Sequence, residues 1–247
     1  MSKIIAIIPT YNEAGNILPL LGKLFSLASN ISVLIVDDSS PDGTSQIVIK
    51  LQREYPKLHL ITRACRQGLG SAYIEGFKYA LKKGYDIIIQ MDADLSHAPR
   101  EVLKMIALIE RYDLVIGSRY IKGGGVYDWS YPRVLLSRWA NIFSKILLRT
   151  QVYDLTSGFK CLRKNVLEEI DFQTISSRGY AFQIEMVFRA LRKGFKVIEH
   201  PIIFQGRRYD KSKMSLPIVI EAFIRVLCLF FNRFSRGRNT GSNIINK

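Results

Sequence analysis

The chain predicts an α/β protein built on a mostly parallel, doubly wound sheet, and three observations carry that expectation. Short apolar runs alternate with helical stretches through the first half of the sequence. The runs are brief and nearly continuous in hydrophobicity, as strands buried on both faces are. Acids and turn residues gather where several runs stop, at the carboxyl edge where open α/β sheets bind ligands.

The first run, Ile4–Ile8, ends in Pro9-Thr10-Tyr11-Asn12-Glu13 and leads to a helical stretch over Asn16–Ala28. The second, Val33–Val36, ends in Asp37-Asp38-Ser39-Ser40-Pro41-Asp42-Gly43-Thr44, ahead of a helix over Thr44–Tyr55. Asp42-Gly43-Thr44 is turn and N-cap chemistry, so Asp42 reads as structural and Asp38 as functional. The third run, Leu58–Ile61, precedes a helix over Leu69–Lys83. Its opening, Gly68-Leu69-Gly70-Ser71-Ala72-Tyr73, is no dinucleotide fingerprint: Tyr73 stands at the third glycine position, and the preceding strand is not the first. Those glycines let a helix N-terminus approach the sheet or a ligand. The fourth run, Ile87–Met91, stops at Asp92-Ala93-Asp94 before a helix over Arg100–Tyr112. The fifth, Leu114–Ile116, passes into Gly117-Ser118-Arg119-Tyr120, and three glycines at 123–125 then predict a mobile loop. A last strand is expected over Pro201–Phe204, followed by Arg207, Arg208, Lys211 and Lys213.

Two later segments have a different character. Pro132–Arg149 places Leu135, Trp139, Ile142, Phe143, Ile146 and Leu147 at helical spacing, and its charges are all basic. Leu216–Phe234 is apolar nearly all round, with a narrow stripe of Glu221, Arg225 and Asn232. It is too short and too charged to span a bilayer alone, so it either packs on the domain or lies in the headgroup region as an amphipathic interfacial helix, the second being favoured, while Pro132–Arg149 fits an ordinary core helix as well as an interfacial one. The expected organisation is one catalytic domain over 1–215, an apolar helix over 216–234 and a disordered basic tail over 235–247.

With 36 Lys and Arg against 21 Asp and Glu, the net charge of +15 predicts an anionic partner. From His200 to Lys247 nine basic residues accompany two acidic ones and the longest apolar segment, which fits a membrane surface better than a nucleic-acid groove. Cys65, Cys161 and Cys228 are scattered and odd in number, which argues for a reducing compartment and against structural zinc. The amino-terminal residues run straight into a strand pattern with no signal-peptide pattern, so a cytoplasmic protein associated peripherally with the membrane is expected. There is no G-x-S-x-G elbow and no P-loop, and His59, His97 and His200 are isolated, His97 alone lying near the aspartates.

The aspartates carry the chemistry. Two carboxylates one residue apart repel and raise each other's pKa unless a cation sits between them. Hard oxygen ligands suit Mg²⁺ or Mn²⁺, which usually take one or two carboxylates plus substrate phosphates. Asp92 and Asp94 are therefore the candidate metal ligands. A nucleotide beside them would need a carboxylate for base N–H groups and a wall for the ring, which Asp38 and Tyr11 can supply. Arg119, Arg207, Arg208, Lys211 and Lys213, together with the acid pair, suggest a site with two phosphate groups to hold, and an arginine can grip two oxygens at once.

In order, P-T-Y-N-E, V-D-D-S-S-P-D-G-T, G-L-G-S-A-Y, M-D-A-D-L-S-H, G-S-R-Y, G-G-G, T-S-G-F-K, G-Y-A-F-Q-I-E and a final S-K resemble dolichol-phosphate (polyprenyl-phosphate) mannose synthases, family-2 glycosyltransferases of the GT-A fold. The resemblance runs over roughly residues 3–215. It implies that Pro9, Tyr11, Glu13, Val36 and Asp38 hold the guanosine of GDP-mannose, with Ala93 packed at the nucleotide. It implies Mg²⁺ or Mn²⁺ on Asp92 and Asp94, and donor or acceptor phosphates on Arg119, Arg207 and Lys213, with Asp94 and Arg119 at the centre of catalysis. The implied acceptor is a polyprenyl phosphate at the membrane surface, the transfer inverts the anomeric centre, and a membrane-anchoring partner subunit is compatible with it. Related transferases often carry Gln where this chain has Ser96, and the usual G-E before the last S-K is Asp210-Lys211 here. A same-fold transferase using another donor, such as UDP-glucose, stays open because Asp38 could serve either base. A basic nucleic-acid-binding module is disfavoured, since basic residues are not interleaved with aromatics along one groove.

Overall fold

Strand β1, Ile4–Thr10, is buried along almost its whole length, as a strand covered on both faces must be. It lies in the interior of the sheet in the computed structural model, which describes residues 2–27, 30–175, 177, 179–206 and 223–231. β1 leads through α1 (Ala14–Leu27) to β2 (Ile31–Asp37), α2 (Thr44–Leu51), β3 (Leu58–Thr62), α3 (Leu69–Lys82), β4 (Ile87–Gln90), α4 (Glu101–Leu108) and β5 (Leu114–Ser118). These are the five strands and four helices that the hydrophobic pattern predicts, with shifts of a few residues at the ends.

The second half adds what the pattern did not reveal. After β6 (Gly125–Val126) and α5 (Tyr131–Leu148) come β7 (Lys160–Arg163), α6 (Lys164–Ile170), a single 3-10 turn at Phe172–Thr174, α7 (Gly179–Arg192), β8 (Val197–Pro201) and β9 (Ile203–Phe204). The main sheet runs β3-β2-β1-β4-β7-β5-β8. Strand β7 is threaded between β4 and β5 and is antiparallel to both, pairing Lys160 with Gln90 and with Ile116. The expected mostly parallel sheet is therefore present with one reversed strand near its middle.

Two expectations are corrected. The third glycine of the 123–125 run is not loop but the start of β6, paired in parallel with β9. A β-carbon on Gly124 would meet the Ser118 carbonyl oxygen at 2.6 Å, so the close approach, not mobility, accounts for that glycine. The strand expected over Pro201–Phe204 divides instead at Ile202, whose N–H bonds the Ser118 carbonyl at 2.9 Å, with β8 ending before it and β9 starting after it.

Cores lie on both faces of the sheet. One joins Ile5, Ile7, Leu34 and Ile116 with α3, α6 and α7; the other joins Ile4, Ala6, Ile8 and Ile35 with α1, α2 and α4. At Gly76 a β-carbon would collide with Ile7, so α3 seats against β1 only because that position has no side chain. Helix α5 buries Asn141, Ser144 and Leu148 but exposes Leu135, Trp139, Ile142 and Ile146 along one face. Of the predicted apolar segment over 216–234, residues 223–231 are helical, Val226 enters the first core, and Phe223 stacks on Phe143 at 4.7 Å. The rest of that segment and the tail lie outside the described residues.

Candidate active site

The ends of β1 and β2 are joined into one ledge by hydrogen bonds that cross between the two loops. The Asn12, Glu13 and Ala14 N–H groups, at and just before the start of α1, reach Ser40 Oγ at 3.0 Å, Thr44 Oγ1 at 3.1 Å and Asp42 Oδ2 at 2.9 Å. The reading of Asp42 as structural is explained by this cross-loop cap: burial raises its carboxyl pKa, but hydrogen bonds from Thr44 and Ala14 outweigh that and hold it below the usual value. Asp37 anchors the same corner, accepting from Thr10 Oγ1 at 2.7 Å, Ser40 Oγ at 2.6 Å and Ser45 Oγ at 2.8 Å.

On this ledge stand the residues assigned to the nucleotide. Tyr11 and Glu13 are half-buried, and Arg66 lies over the Tyr11 ring at 4.3 Å. Glu13 Oε2 accepts from Asn16 Nδ2 at 2.8 Å. Asp38 is buried, and Arg63 binds its Oδ1 through both Nε and Nη2. Pro9 is half-buried at the end of β1, whereas Val36 is fully enclosed in the core and floors the ledge from below.

Beyond β4 the chain turns through Leu95 at φ 62°, carrying both aspartates over the sheet edge. Asp94 is buried and its Oδ1 accepts the Ser96 N–H at 3.1 Å, while Asp92 is more open and Ala93 packs inward. His97, singled out only for its nearness, is a positioning group: its Nδ1 accepts the Asp92 N–H at 3.1 Å. The ring is fully buried, stacked on Phe159 at 4.8 Å and edge-on to Phe204. Burial holds its pKa below the usual value despite the pull of Asp92 and Asp94, which favours a neutral imidazole with its proton on Nε2. A β-carbon on Gly158 would lie 3.5 Å from Asp92 Oδ1, so that loop closes over the acid pair from the far side. The donor set fits a hard divalent ion. Among the described residues no group of three His, Cys, Asp or Glu is placed to hold a metal, so such an ion would complete its shell with phosphate oxygens.

The second half of the chain supplies a buried polar layer behind the aspartates. Asp154 takes Arg119 Nε at 2.7 Å and Nη2 at 2.7 Å, and Thr156 Oγ1 takes Nη2 at 2.8 Å. Burial opposes the Asp154 carboxylate, but Arg119 more than compensates and its pKa stays below the usual value. Arg119 is buried, with its guanidinium also near the rings of Tyr120, Trp129 and Phe204. Lys160 is fully buried; its ammonium donates to the Ser157 carbonyl and to Gln183 Oε1 at 2.5 Å. Replacing Asp154 by Ala would leave Arg119 buried without its carboxylate, an expected loss of about 3 kcal/mol in urea unfolding that Arg119→Met in the same chain should partly restore.

The structure thus brings Pro9, Tyr11, Glu13, Asp38, Asp92, Ala93, Asp94 and Arg119 to one edge, with Val36 beneath. Arg207 and Lys213 lie outside the described residues. Sequence reasoning did not single out Arg63, Arg66, Asp154, Lys160 or Gln183. Lys160 and Gln183 do fall within the T-S-G-F-K and G-Y-A-F-Q-I-E motifs, which were the available signal.

Comparison with known proteins agrees with this geometry. The glycosyl transferase family 2 model matches residues 5–171. Polyprenol monophosphomannose synthase of Mycolicibacterium smegmatis is 41% identical over 224 residues, covering 90% of this chain and 84% of that protein. Undecaprenyl-phosphate mannosyltransferase of Micrococcus luteus is 40% identical over 224 residues, covering 91% of this chain and 92% of that one. Among solved structures, glucosyl-3-phosphoglycerate synthase of Mycobacterium tuberculosis, with Mn²⁺, UDP and glucosyl-3-phosphoglycerate, superposes with a TM-score of 0.68 at 14% identity, over 92% of this chain and 79% of that one. A mannosyltransferase from Pyrobaculum calidifontis, with GDP-Man and Mn²⁺, gives 0.57 at 16% identity over 98% and 76%. These superpositions show the expected GT-A fold. The motif order, the sheet that carries it and the matched family together show that the chain belongs to glycosyl transferase family 2.

Proposed function

We propose that this glycosyltransferase moves mannose from GDP-mannose to a polyprenyl monophosphate at the cytoplasmic face of a membrane, with Asp92 and Asp94 holding Mg²⁺ or Mn²⁺. The observation that carries the reading is the acid pair at the end of β4, sharing one sheet edge with the Tyr11 and Asp38 ledge. The two curated relatives, named for mannosyl transfer to polyprenyl phosphates, support it. When bound, the ion would supply positive charge to the diphosphate leaving group.

The chain's own residues do the rest. Tyr11 and Asp38 seat the base, and the His97 bond to the Asp92 N–H fixes the turn that carries the acids. Arg119 is assigned to the reacting phosphates, and its bidentate bond to Asp154 fixes the orientation of its guanidinium. Arg207 and Lys213 are assigned to donor or acceptor phosphates. The acceptor is already anionic at pH 7, so no general base is required. Its oxygen forms the new bond to the anomeric carbon as the bond to GDP breaks, which inverts that centre.

Residues 1–215 form the catalytic unit in this reading, 216–234 an apolar helix and 235–247 a basic tail; a membrane-anchoring partner subunit is compatible with it, and nucleic acid is not a partner. No described helix is long and apolar enough to cross a membrane. The exposed face of α5 supports contact with lipid, and its basic residues would attract anionic headgroups. Ile146→Glu is expected to lower sedimentation with anionic vesicles several-fold, while hydrolysis-free GDP binding in solution is unchanged.

The direct test is a donor screen with GDP-mannose and UDP-glucose, a short polyprenyl phosphate and either ion. Transfer from GDP-mannose, abolished by EDTA, is expected. Transfer from UDP-glucose alone would favour the second reading, which draws support from Asp38, because one carboxylate oxygen can accept the ring N–H of either base.

A further inference from the structure

Arg63 is the first residue after β3 and is buried, with its own N–H bonded to the Asp37 carbonyl at 2.8 Å. Its guanidinium ties the loop after β2 to the N-terminus of α3. Nε and Nη2 meet Asp38 Oδ1, Nη1 donates to Ser71 Oγ at 2.6 Å, and Nη2 donates to the Gly68 carbonyl at 3.1 Å. Both contacts to Asp38 fall on the same oxygen, and among the described residues no donor is placed on Oδ2. A buried ion pair is weak evidence of stabilisation, because desolvation offsets the attraction, so a role in specificity is the better account of it.

We propose that Arg63 is the positioning residue for base recognition: by occupying Oδ1 it reserves Oδ2 of Asp38, in a fixed place, for the ring N–H of the donor base. The inference rests on the nucleotide site proposed above. It deepens that reading by naming a selection rule that holds for guanine and uracil alike. Both carry a ring N–H that a single carboxylate oxygen can accept, whereas adenine presents a ring acceptor there. Binding adenine would leave a buried carboxylate oxygen without a donor, the arrangement by which polar sites reject analogues most strongly.

The test is calorimetry with GDP and ADP, each with Mn²⁺, on the wild type, R63K, R63M, D38N and the D38N/R63M double variant. The wild type is expected to prefer GDP by at least roughly tenfold, and R63K to lose about tenfold for GDP with little change for ADP. D38N should do the same, and the double variant should lose no more than either single. In turnover the donor KM rises about tenfold in R63K while kcat holds within about threefold. R63K keeps a buried charge opposite Asp38 and the double variant removes both charges, so at least one should retain the fold by circular dichroism if R63M does not. Parallel losses for GDP and ADP in R63K, or additive losses in the double variant, would overturn the proposal. D38N binding GDP as the wild type does would remove the base from Asp38 and take the nucleotide placement down as well; D38N impaired with R63K intact would remove Arg63 alone.

Discussion

Asp94→Asn is expected to lower mannosyl transfer by roughly two to three orders of magnitude, with Asp92→Asn close behind. The substitution is conservative in shape. Asp94 Oδ1 accepts the Ser96 N–H at 3.1 Å, and an asparagine carbonyl can keep that bond, so unfolding stability should change by less than about 1 kcal/mol. What it removes is charge at the one place where a divalent ion and a diphosphate are proposed to meet. Calorimetry separates the two effects: Mn²⁺-dependent GDP binding should weaken sharply, and binding of guanosine without phosphate should not. Undiminished turnover by the Asn variant, or by the wild type in EDTA, would end the metal assignment.

The first half of this fold was readable because its physics is local. Each of the five predicted strands is a short apolar run between helices of ordinary period, and the registers β1–β2 and β1–β4 then bring the acid-bearing ends together. The second half is different in kind. Strand β7 is four residues, Lys-Cys-Leu-Arg, with a lysine as its first fully buried member, and no hydrophobic pattern identifies such a strand. Its placement depends on pairing with two partners distant in sequence, which only the tertiary fold supplies. Arg63 was invisible for a related reason. A lone arginine after a strand reads as a solvated charge, and its value here comes from Asp38 after β2 and from Gly68 and Ser71 at the start of α3, which the fold brings round it. Arg119 was legible from its position after β5, but its bidentate bond to Asp154 was not, since 34 intervening residues include all of α5.

Lys160 leads to the second large effect, one on stability against pH. Burial pushes its pKa down from 10.5 to about 7, with Asp154 and Asp92 opposing that shift in part. In the unfolded chain the ammonium persists to its ordinary pKa, so between about pH 7 and 10.5 the unfolded state binds more protons than the folded one. Stability contributed through this group must therefore rise with pH across that window, and the penalty for burying the charge is present in full below it. At ~1.4 kcal/mol per pH unit, the whole interval from about 7 to 10.5 corresponds to about 5 kcal/mol. Lys160→Met removes the titrating group together with its bonds to the Ser157 carbonyl and Gln183 Oε1. Those lost bonds lower the curve by a constant amount, whereas the lost ammonium changes its slope. Urea unfolding from pH 6 to 9.5 should therefore show the wild type gaining on the Met variant steadily above pH 7, by about 2–3 kcal/mol at pH 9. His97, which feels the Lys160 charge, is held below its usual pKa and is already neutral above pH 7, so parallel curves above that pH would mean that Lys160 keeps its ordinary proton affinity inside the fold.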